Sequence, residues 1–351
     1  MKKILYVGWI GFNNLGDELM WHVFRDLAQK HLDPLQAEVI PSLPKVDLKN
    51  LSPYDTVVLG GGSLLIPGYL DVVHQAVQLK KNVVVWGSGY DSQEPVRLDD
   101  KGAFSLPPVQ QNERMRKMLD DIGEHASFFG IRGPLTYQYL QQLGVNAKPT
   151  IIGDPGMLLL PPTPAEANHQ DGKSIIGINW GTSYNRIYGK NEAVVEEALA
   201  DAAKALIKDG HHIYLFTMWG PDREAIKRLY KKMDAPDHTT LDLALHDHVE
   251  MMKRISGFQA TINFKLHANV ISAAAGVPFV CLAYRFKCMD FACSLNVPET
   301  IVPTDHPQIQ QQILSRTREV LQNRDTLVAK IKLQQNTIVQ ELEKPFLQQL
   351  L

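Results

Sequence analysis

The sequence predicts an α/β protein: two doubly wound, Rossmann-like domains followed by a helical tail. Three observations predict it. Short, near-continuous apolar runs alternate with helix-type stretches, the pattern of strands buried on both faces of a parallel sheet. This alternation occurs twice, on either side of PPTPAEANHQDGK (residues 161–173), a stretch with three prolines and no periodicity. From residue 308 onward the spacing is that of helices. A chain of 351 residues with 44% hydrophobic content is long enough for two such cores.

The elements follow in order. In a first domain of residues 1–160, the run 4–7 is a strand, and a loop leads to a helix at 17–30. Strand 56–59 precedes GGGS and a helix at 69–79; strand 83–86 precedes GSGYD. A helix at 111–122 leads to strand 126–129. The next helix is opened by Pro134 and closed by Gly144, and Ile151 and Ile152 lead into GDPG. Residues 161–173 read as the linker. A second domain of residues 174–305 holds strands 175–179, 213–217, 260–263 and 278–282, with helices at 192–208, 222–233 and 266–275. Residues 306–351 form C-terminal helices, the last expected to break at Pro345. Two such domains joined by a linker match a GT-B-like plan, with the active site expected in the cleft between them.

Composition excludes several classes. The net charge is −2 with 21% charged residues, so no nucleic-acid partner is expected and any positive site must be local. The start, MKKILYVGWIGFNN, lacks a signal-peptide core, and no stretch reaches the roughly 18 to 20 apolar residues of a membrane span. Cys281, Cys288 and Cys293 are odd in number with no CxxC, which suits a reducing cytoplasm.

The segment NFKLHANVISAAAGVPFVCLAYRFK (residues 263–287) carries most of the chemistry. Lys265, His267, Arg285 and Lys287 flank a helix and a buried strand. Both ends of this unit face the crevice outside the carboxyl ends of the strands, where ligands sit in open α/β sheets. Three or four cations and one imidazole would converge on a small, densely anionic substrate. Beside Lys265 and at a helix start, the empty site should favour a neutral imidazole. A bound dianion would favour its protonation, loading a general acid.

Other positions have both plain and functional readings. In GWIGFNNLGDE, Asn13, Asn14 and Asp17 could hydrogen-bond sugar hydroxyls; equally, Asp17 and Glu18 suit the first turn of a helix. The glycine spacing is not that of a dinucleotide fingerprint. Gly61, Gly62 and Ser63 of GGGS, with Gly87 and Ser88 of GSG, put backbone amides at the sheet's carboxyl edge, although glycine after a strand is ordinary turn chemistry. Arg132 is either a structural clamp or a fork for carboxylate or phosphate. Asp154 is a cap, an Arg132 partner or an acceptor contact. His246, Asp247 and His248 have poor metal spacing and read as a solvated helix start. Cys288 reads as core, and Trp219 and Arg223 as the opening of a helix.

At this point the residues resemble the polysaccharide pyruvyl transferase family. The matching blocks are GWIGFNNLGDE, VVLGGGSLL, the strand-plus-GSG block at 83–89, FFGIRGPLTYQYLQQLGV, IIGDPGMLL and FKLHANVISAAAGVPFVCLAYRFK, together spanning about residues 1–295. The resemblance implies a GT-B-like fold and transfer of the enolpyruvyl skeleton of phosphoenolpyruvate to sugar hydroxyls as a ketal, in cell-surface or exopolysaccharide synthesis. It implies that Arg132, His267 and Lys287 handle phosphoenolpyruvate. Lys265 or Arg285 would assist, and Asp17 or Asp154 would meet the acceptor. The chain departs from the family at Lys265, where an arginine is usual, and at Gly133, where an acid is usual. No cofactor and no metal are expected, because lysine and arginine can neutralise the departing phosphate. The acceptor is expected to be a saccharide on a nucleotide, a lipid carrier or a growing glycan; the protein is expected in the cytoplasm, and many such acceptors sit at the inner face of the membrane. Phe346, Leu347, Leu350 and Leu351 would touch a membrane or partner or, on the plainer reading, pack back on the first domain. A nucleotide-sugar glycosyltransferase and a non-catalytic carbohydrate-binding protein are the competing classes. The first should bind a uridine or guanosine diphosphate; the second would not need His267.

Overall fold

The computed structural model describes residues 1–12, 14–98, 104–161 and 174–351. The chain divides into two compact units. Unit 1 comprises residues 1–92, 96–158 and 336–351; unit 2 comprises residues 93–95 and 159–335. The expected linker, Pro161 apart, lies outside the described residues.

Unit 1 begins with β1 (Lys2–Val7), α1 (Leu15–His31), β2 (Ala37–Pro41), β3 (Thr56–Leu59), α2 (Tyr69–Gln78) and β4 (Asn82–Ser88). Two short strands, β5 (Arg97–Leu98) and β6 (Phe104–Ser105), pair antiparallel. Then come α3 (Glu113–His125), β7 (Phe128–Ile131), α4 (Pro134–Gln142) and β8 (Thr150–Ile151). The sheet order is β2-β1-β3-β4-β7-β8, parallel throughout. Every residue of β3 and the last four of β1 are buried, as strands covered on both faces require.

Local chemistry shifts two boundaries. Asn14 accepts a hydrogen bond from the Gly16 amide, so α1 starts at Leu15 rather than Asp17. Ala126 donates its amide to Ile122 O and closes α3, so the strand expected at 126–129 begins at Phe128. The edge strand β2 is only partly buried, with Glu38 exposed, and this weakened its apolar signal.

Unit 2 runs β9 (Ile175–Asn179), α5 (Glu192–Lys208), β10 (His212–Phe216), α6 (Arg223–Met233), β11 (Thr239–Leu241), α7 (His248–Ile255) and β12 (Ala260–Asn263). It continues with α8 (Leu266–Ala274), β13 (Phe279–Ala283), α9 (Phe286–Ser294), β14 (Ile301–Pro303), α10 (Ile309–Gln322) and the first half of α11 (Arg324–Leu347). Its sheet, also parallel, has the order β11-β10-β9-β12-β13-β14. The order reverses between β9 and β12, and the carboxyl ends of these two strands are where such sheets take ligands.

The C-terminal helices are not a separate body. Ile309, Ile313, Thr317 and Val320 of α10 are buried within unit 2. The end of α11 belongs to unit 1, where Trp86 Nε1 donates to Leu342 O at 2.9 Å. There the Phe346 ring lies 5.2 Å from that of Phe24. Phe346 and Leu351 are buried against this unit while Leu347 is exposed, so most of the apolar tail packs back, as the plainer reading had it. Pro345 does not break the helix as expected; α11 continues to Leu347. A proline this close to the end removes one ladder bond, and the Gln348 amide still closes on Lys344 O at 2.9 Å. Among the described residues no helix is long and apolar enough to cross a membrane.

Candidate functional site

At the carboxyl edge of unit 2, the motif residues occupy matching places in two neighbouring βα units. Lys265 is the N-cap of α8 and Arg285 the N-cap of α9; His267 and Lys287 are the second residues of those helices. Neither N-cap side chain caps its own helix, and neither first turn contains an acid. Two helix starts without acids, bearing cations at matching positions, form an electropositive surface of the kind that receives carboxylate or phosphate. All four side chains are partly exposed, whereas Phe264, Leu266, Tyr284 and Phe286 between them are buried. The apolar residues therefore anchor the turns, and the polar ones are only partly covered.

Lys265 is the most constrained of the four. Its amide donates to Asn179 Oδ1 at 3.0 Å, and Asn179 Nδ2 donates to Phe216 O at 3.1 Å, tying together the ends of β12, β9 and β10. Its ammonium donates to Thr182 O at 2.6 Å and lies 3.1 Å from Asp222 Oδ1. It also sits over the Trp219 ring, 5.1 Å from the centroid. The Asp222 carboxylate is fully buried and accepts the Thr182 amide at 3.0 Å. Burial pushes the Asp222 carboxyl above the usual range, with Lys265 opposing. Burial likewise pushes the Lys265 ammonium down; Asp222 opposes that push and Lys287 adds to it. Lys287 is thus within electrostatic reach of Lys265, and its own ammonium lies over the Tyr284 ring at 5.6 Å.

The loop that receives Lys265 is held from several directions. Trp180 Nε1 donates to the buried Glu196 at 3.0 Å, and Thr182 Oγ1 donates to Glu192 Oε2 at 2.9 Å. A Cβ at Gly181 would lie 2.2 Å from Asp222 Oδ1, so only glycine admits the carboxylate there. Asp222 stands at the expected start of a helix, and its pairing with Lys265 is visible only in the structure. Its signal was an acid at the end of β10, across the switch point from Lys265, and spacing alone does not reveal that pairing.

The carboxyl edge of unit 1 is built differently. Arg132 directly follows β7 and is fully buried. Its Nη2 donates to Tyr90 O at 3.0 Å, its Nη1 lies 3.4 Å from Ser63 Oγ, and a Cβ at Gly89 would meet Nη2 at 2.5 Å. Of the two readings of Arg132, these contacts describe the clamp: the guanidinium braces the loops after β3 and β4 and faces no solvent. The glycines serve the same packing. A Cβ at Gly60 would meet the Tyr6 hydroxyl at 2.1 Å; at Gly61, Met20 at 2.7 Å; at Gly87, Pro155 at 2.6 Å. Gly62 lies beside Ser88 in an isolated bridge, and the Ser88 hydroxyl, fully buried, donates to Gly60 O. Asp154, also fully buried, accepts the Gly156 amide at 3.0 Å, the capping role.

Two acids remain at this edge. Asp17 lies near Gly62 and helps raise the Tyr69 hydroxyl, which burial raises most. Glu18 accepts the Gly11 amide at 2.7 Å. Asn14 is occupied as the cap of α1, and Asn13 lies outside the described residues.

The weaker clusters take structural roles. His246 Nε2 is 2.8 Å from Asp242 Oδ2, and Asp247 caps α7 by accepting the Glu250 amide. Arg223 Nε donates to Leu243 O at 2.9 Å. Cys288 is buried, within reach of the buried Cys281 thiol, which donates to its carbonyl. Among the described residues no group of three or more His, Cys, Asp or Glu could hold a metal.

Comparison with known proteins bears on the fold and the family. A structure of MnaA from S. aureus with UDP matches with a TM-score of 0.63 at 12% identity, covering 100% of this chain and 98% of that one. A UDP-glucosyltransferase from Polygonum tinctorium matches with 0.58 at 11%, covering 98% of each chain. A putative UDP-N-acetylglucosamine 2-epimerase from Listeria monocytogenes matches with 0.58 at 10%, covering 94% of this chain and 91% of that one. At such identities the likeness extends to the fold alone, and it bears out the GT-B-like plan of two doubly wound units. No individually curated protein matches the sequence. The model of one family, polysaccharide pyruvyl transferase, matches residues 14–285, well over half of the chain; the match takes in Lys265, His267 and Arg285 and ends two residues before Lys287. The chain belongs to the polysaccharide pyruvyl transferase family.

Proposed function

We propose that this family member transfers the enolpyruvyl group of phosphoenolpyruvate to two hydroxyls of a saccharide, forming a ketal and releasing phosphate. The acceptor would be a sugar on a lipid or nucleotide carrier, in the making of a cell-surface or exopolysaccharide. One observation carries the donor assignment: the acid-free starts of α8 and α9, bearing Lys265 and His267, Arg285 and Lys287 at matching positions. Phosphoenolpyruvate carries a carboxylate and a phosphate on one small skeleton, and two adjacent anion-binding helix starts suit that spacing of charge.

In the proposed reaction Arg285 and Lys287 bind the two anionic groups, and Lys287 stabilises the phosphate as it leaves. His267 donates a proton to the methylene carbon, turning it into a methyl group and leaving the central carbon electrophilic. One sugar hydroxyl adds to that carbon. The second displaces phosphate and closes the ring. Two hydroxyl protons are released: one restores His267 and the other departs with the phosphate. Asp17, the half-buried acid at the edge of unit 1, is the candidate to hold an acceptor hydroxyl. Arg132 acts as a positioning residue for the loops there, and Lys265 as the fixed base of the donor site.

The test is phosphate release from phosphoenolpyruvate across a panel of nucleotide-linked and lipid-linked saccharides, with mass analysis of the acceptor. Release coupled to a pyruvyl-sized mass gain is expected, with both lost in His267→Gln. Transfer of a sugar from a UDP-sugar, with phosphoenolpyruvate inert, would replace this function with a glycosyltransferase one.

A further inference from the structure

Lys265 is a cation of the donor site with a buried counter-charge. Three elements besides its own helix face its ammonium with charge: Asp222 from the start of α6, Glu192 from the start of α5 and Lys287 from α9. Only Asp222 touches it, at 3.1 Å, and that carboxylate is fully buried. The Asp222 carboxylate also fixes the acceptor of the other Lys265 bond, because its Oδ1 takes the Thr182 amide while Lys265 takes the Thr182 carbonyl. The pair thus closes a ring: Lys265 ammonium, Thr182 carbonyl, Thr182 amide, Asp222 carboxylate. The absence of a side chain at Gly181 leaves room for that ring. Through the backbone of Lys265 it reaches the turn that carries His267 two residues on.

We propose that Asp222 is a positioning residue of the donor site: it holds Lys265 charged and drawn onto Thr182, so that the α8 turn presents His267 beside a permanent positive charge. The inference rests on the pyruvyl-transfer function for its ligand, though not for its geometry. Asp222 would touch no substrate. Because a lysine stands here, its charge in a buried place depends on the carboxylate beside it. Without Asp222 the ammonium has lost its one contacting counter-charge, while burial and Lys287 still act against it. It would then lose its proton at a lower pH than in wild type, with only the more distant Glu192 opposing.

The experiment is a cycle of Asp222→Asn, Lys265→Met and the double variant, each followed by thermal melts from pH 6 to pH 9.5 with and without phosphoenolpyruvate. In Asp222→Asn the ligand-free protein should gain stability relative to the double variant as pH rises, because an unpaired buried ammonium is relieved on losing its proton. Its affinity for phosphoenolpyruvate should fall over the same interval by up to about tenfold per pH unit, the limit for loss of one proton. Wild type, in which Asp222 opposes the downward push on Lys265, should show both trends only at higher pH, and Lys265→Met should bind weakly at every pH. The opposed directions of the two trends separate this role from simple loss of structure.

Wild-type affinity and pH dependence in Asp222→Asn would overturn the proposal. If Asp222→Asn does not fold but the double variant does, the unpaired lysine is the cause and the pairing stands. If neither folds, Asp222 serves the fold independently of Lys265 and the proposal falls. If wild type fails to bind phosphoenolpyruvate, the proposed function fails, while the ligand-free melts still decide the pairing.

Discussion

The carboxyl edges of the two units share an architecture and differ in chemistry. In unit 1 the helix after β1 is capped by Asn14 and carries Asp17 and Glu18 in its first turn. In unit 2 the helices after β12 and β13 are capped by no side chain, carry no acid in their first turns and bear cations there. The dipole of α1 is already answered by its own acids; those of α8 and α9 meet no acid in their first turns. The arginines show the same division. Arg132 is sealed under the loops of unit 1, while Arg285 and Lys287 keep part of their surface in water. The doubly wound fold thus supplies positions, and a few residues at strand ends set the charge that each edge presents.

The largest expected effect lies at the edge of unit 2. His267→Gln should lower phosphate release by about 10²- to 10⁴-fold, the range for loss of a general acid. Lys287→Ala should weaken phosphoenolpyruvate binding while leaving the melting curve within about 0.5 kcal/mol of wild type, because the side chain is partly exposed. A melt and a binding isotherm on the same variant check both.

Unit 1 should respond the other way. Arg132→Ala removes a buried, hydrogen-bonded guanidinium and leaves the Tyr90 carbonyl without its 3.0 Å donor. A stability loss on the order of 3 kcal/mol is expected in urea melts. Gly60→Ala should cost about 1–3 kcal/mol, since its methyl group would overlap the Tyr6 ring. If Arg132→Ala instead melts like wild type and abolishes phosphoenolpyruvate binding, the contrast between the edges is wrong.

The smallest effect concerns the returning tail. Glu343 is held below the usual carboxylate range, first by the hydrogen bond from Lys30 and further by His31. A lowered folded value means the stabilisation is present above the ordinary carboxylate pKa and lost as pH falls through the lowered one. Glu343→Gln should therefore cost at most about 1 kcal/mol at pH 7 and nothing near pH 2, in paired urea melts.

The sequence made the repeated βα pattern legible because buried parallel strands must be apolar throughout: β3, β9 and β12 lie within one residue of where their apolar runs put them. It hid β2, β11 and β14. These are short strands, all three at sheet edges, where partial burial leaves no continuous run. Placing Lys265, His267, Arg285 and Lys287 at one edge was legible, because each follows a strand and opens a helix. The partners were not. Asp222 meets Lys265 through tertiary packing between residues 43 positions apart in sequence. The burial of Arg132 depends on how closely Gly89 lets the next loop approach. Residue type suggests ligand contact or a clamp; the described contacts of Arg132 are those of a clamp.

The decisive measurement is the melting temperature of wild type, Lys287→Ala and Asp17→Asn with phosphoenolpyruvate, and of wild type with UDP. A ligand that binds only the folded state must raise stability, by about 2.7 kcal/mol at a hundredfold excess over Kd. Phosphoenolpyruvate should stabilise wild type and Asp17→Asn alike and leave Lys287→Ala unshifted, with UDP inactive. Stabilisation by UDP alone, or an undiminished shift in Lys287→Ala, would contradict a pyruvyl donor site at the starts of α8 and α9.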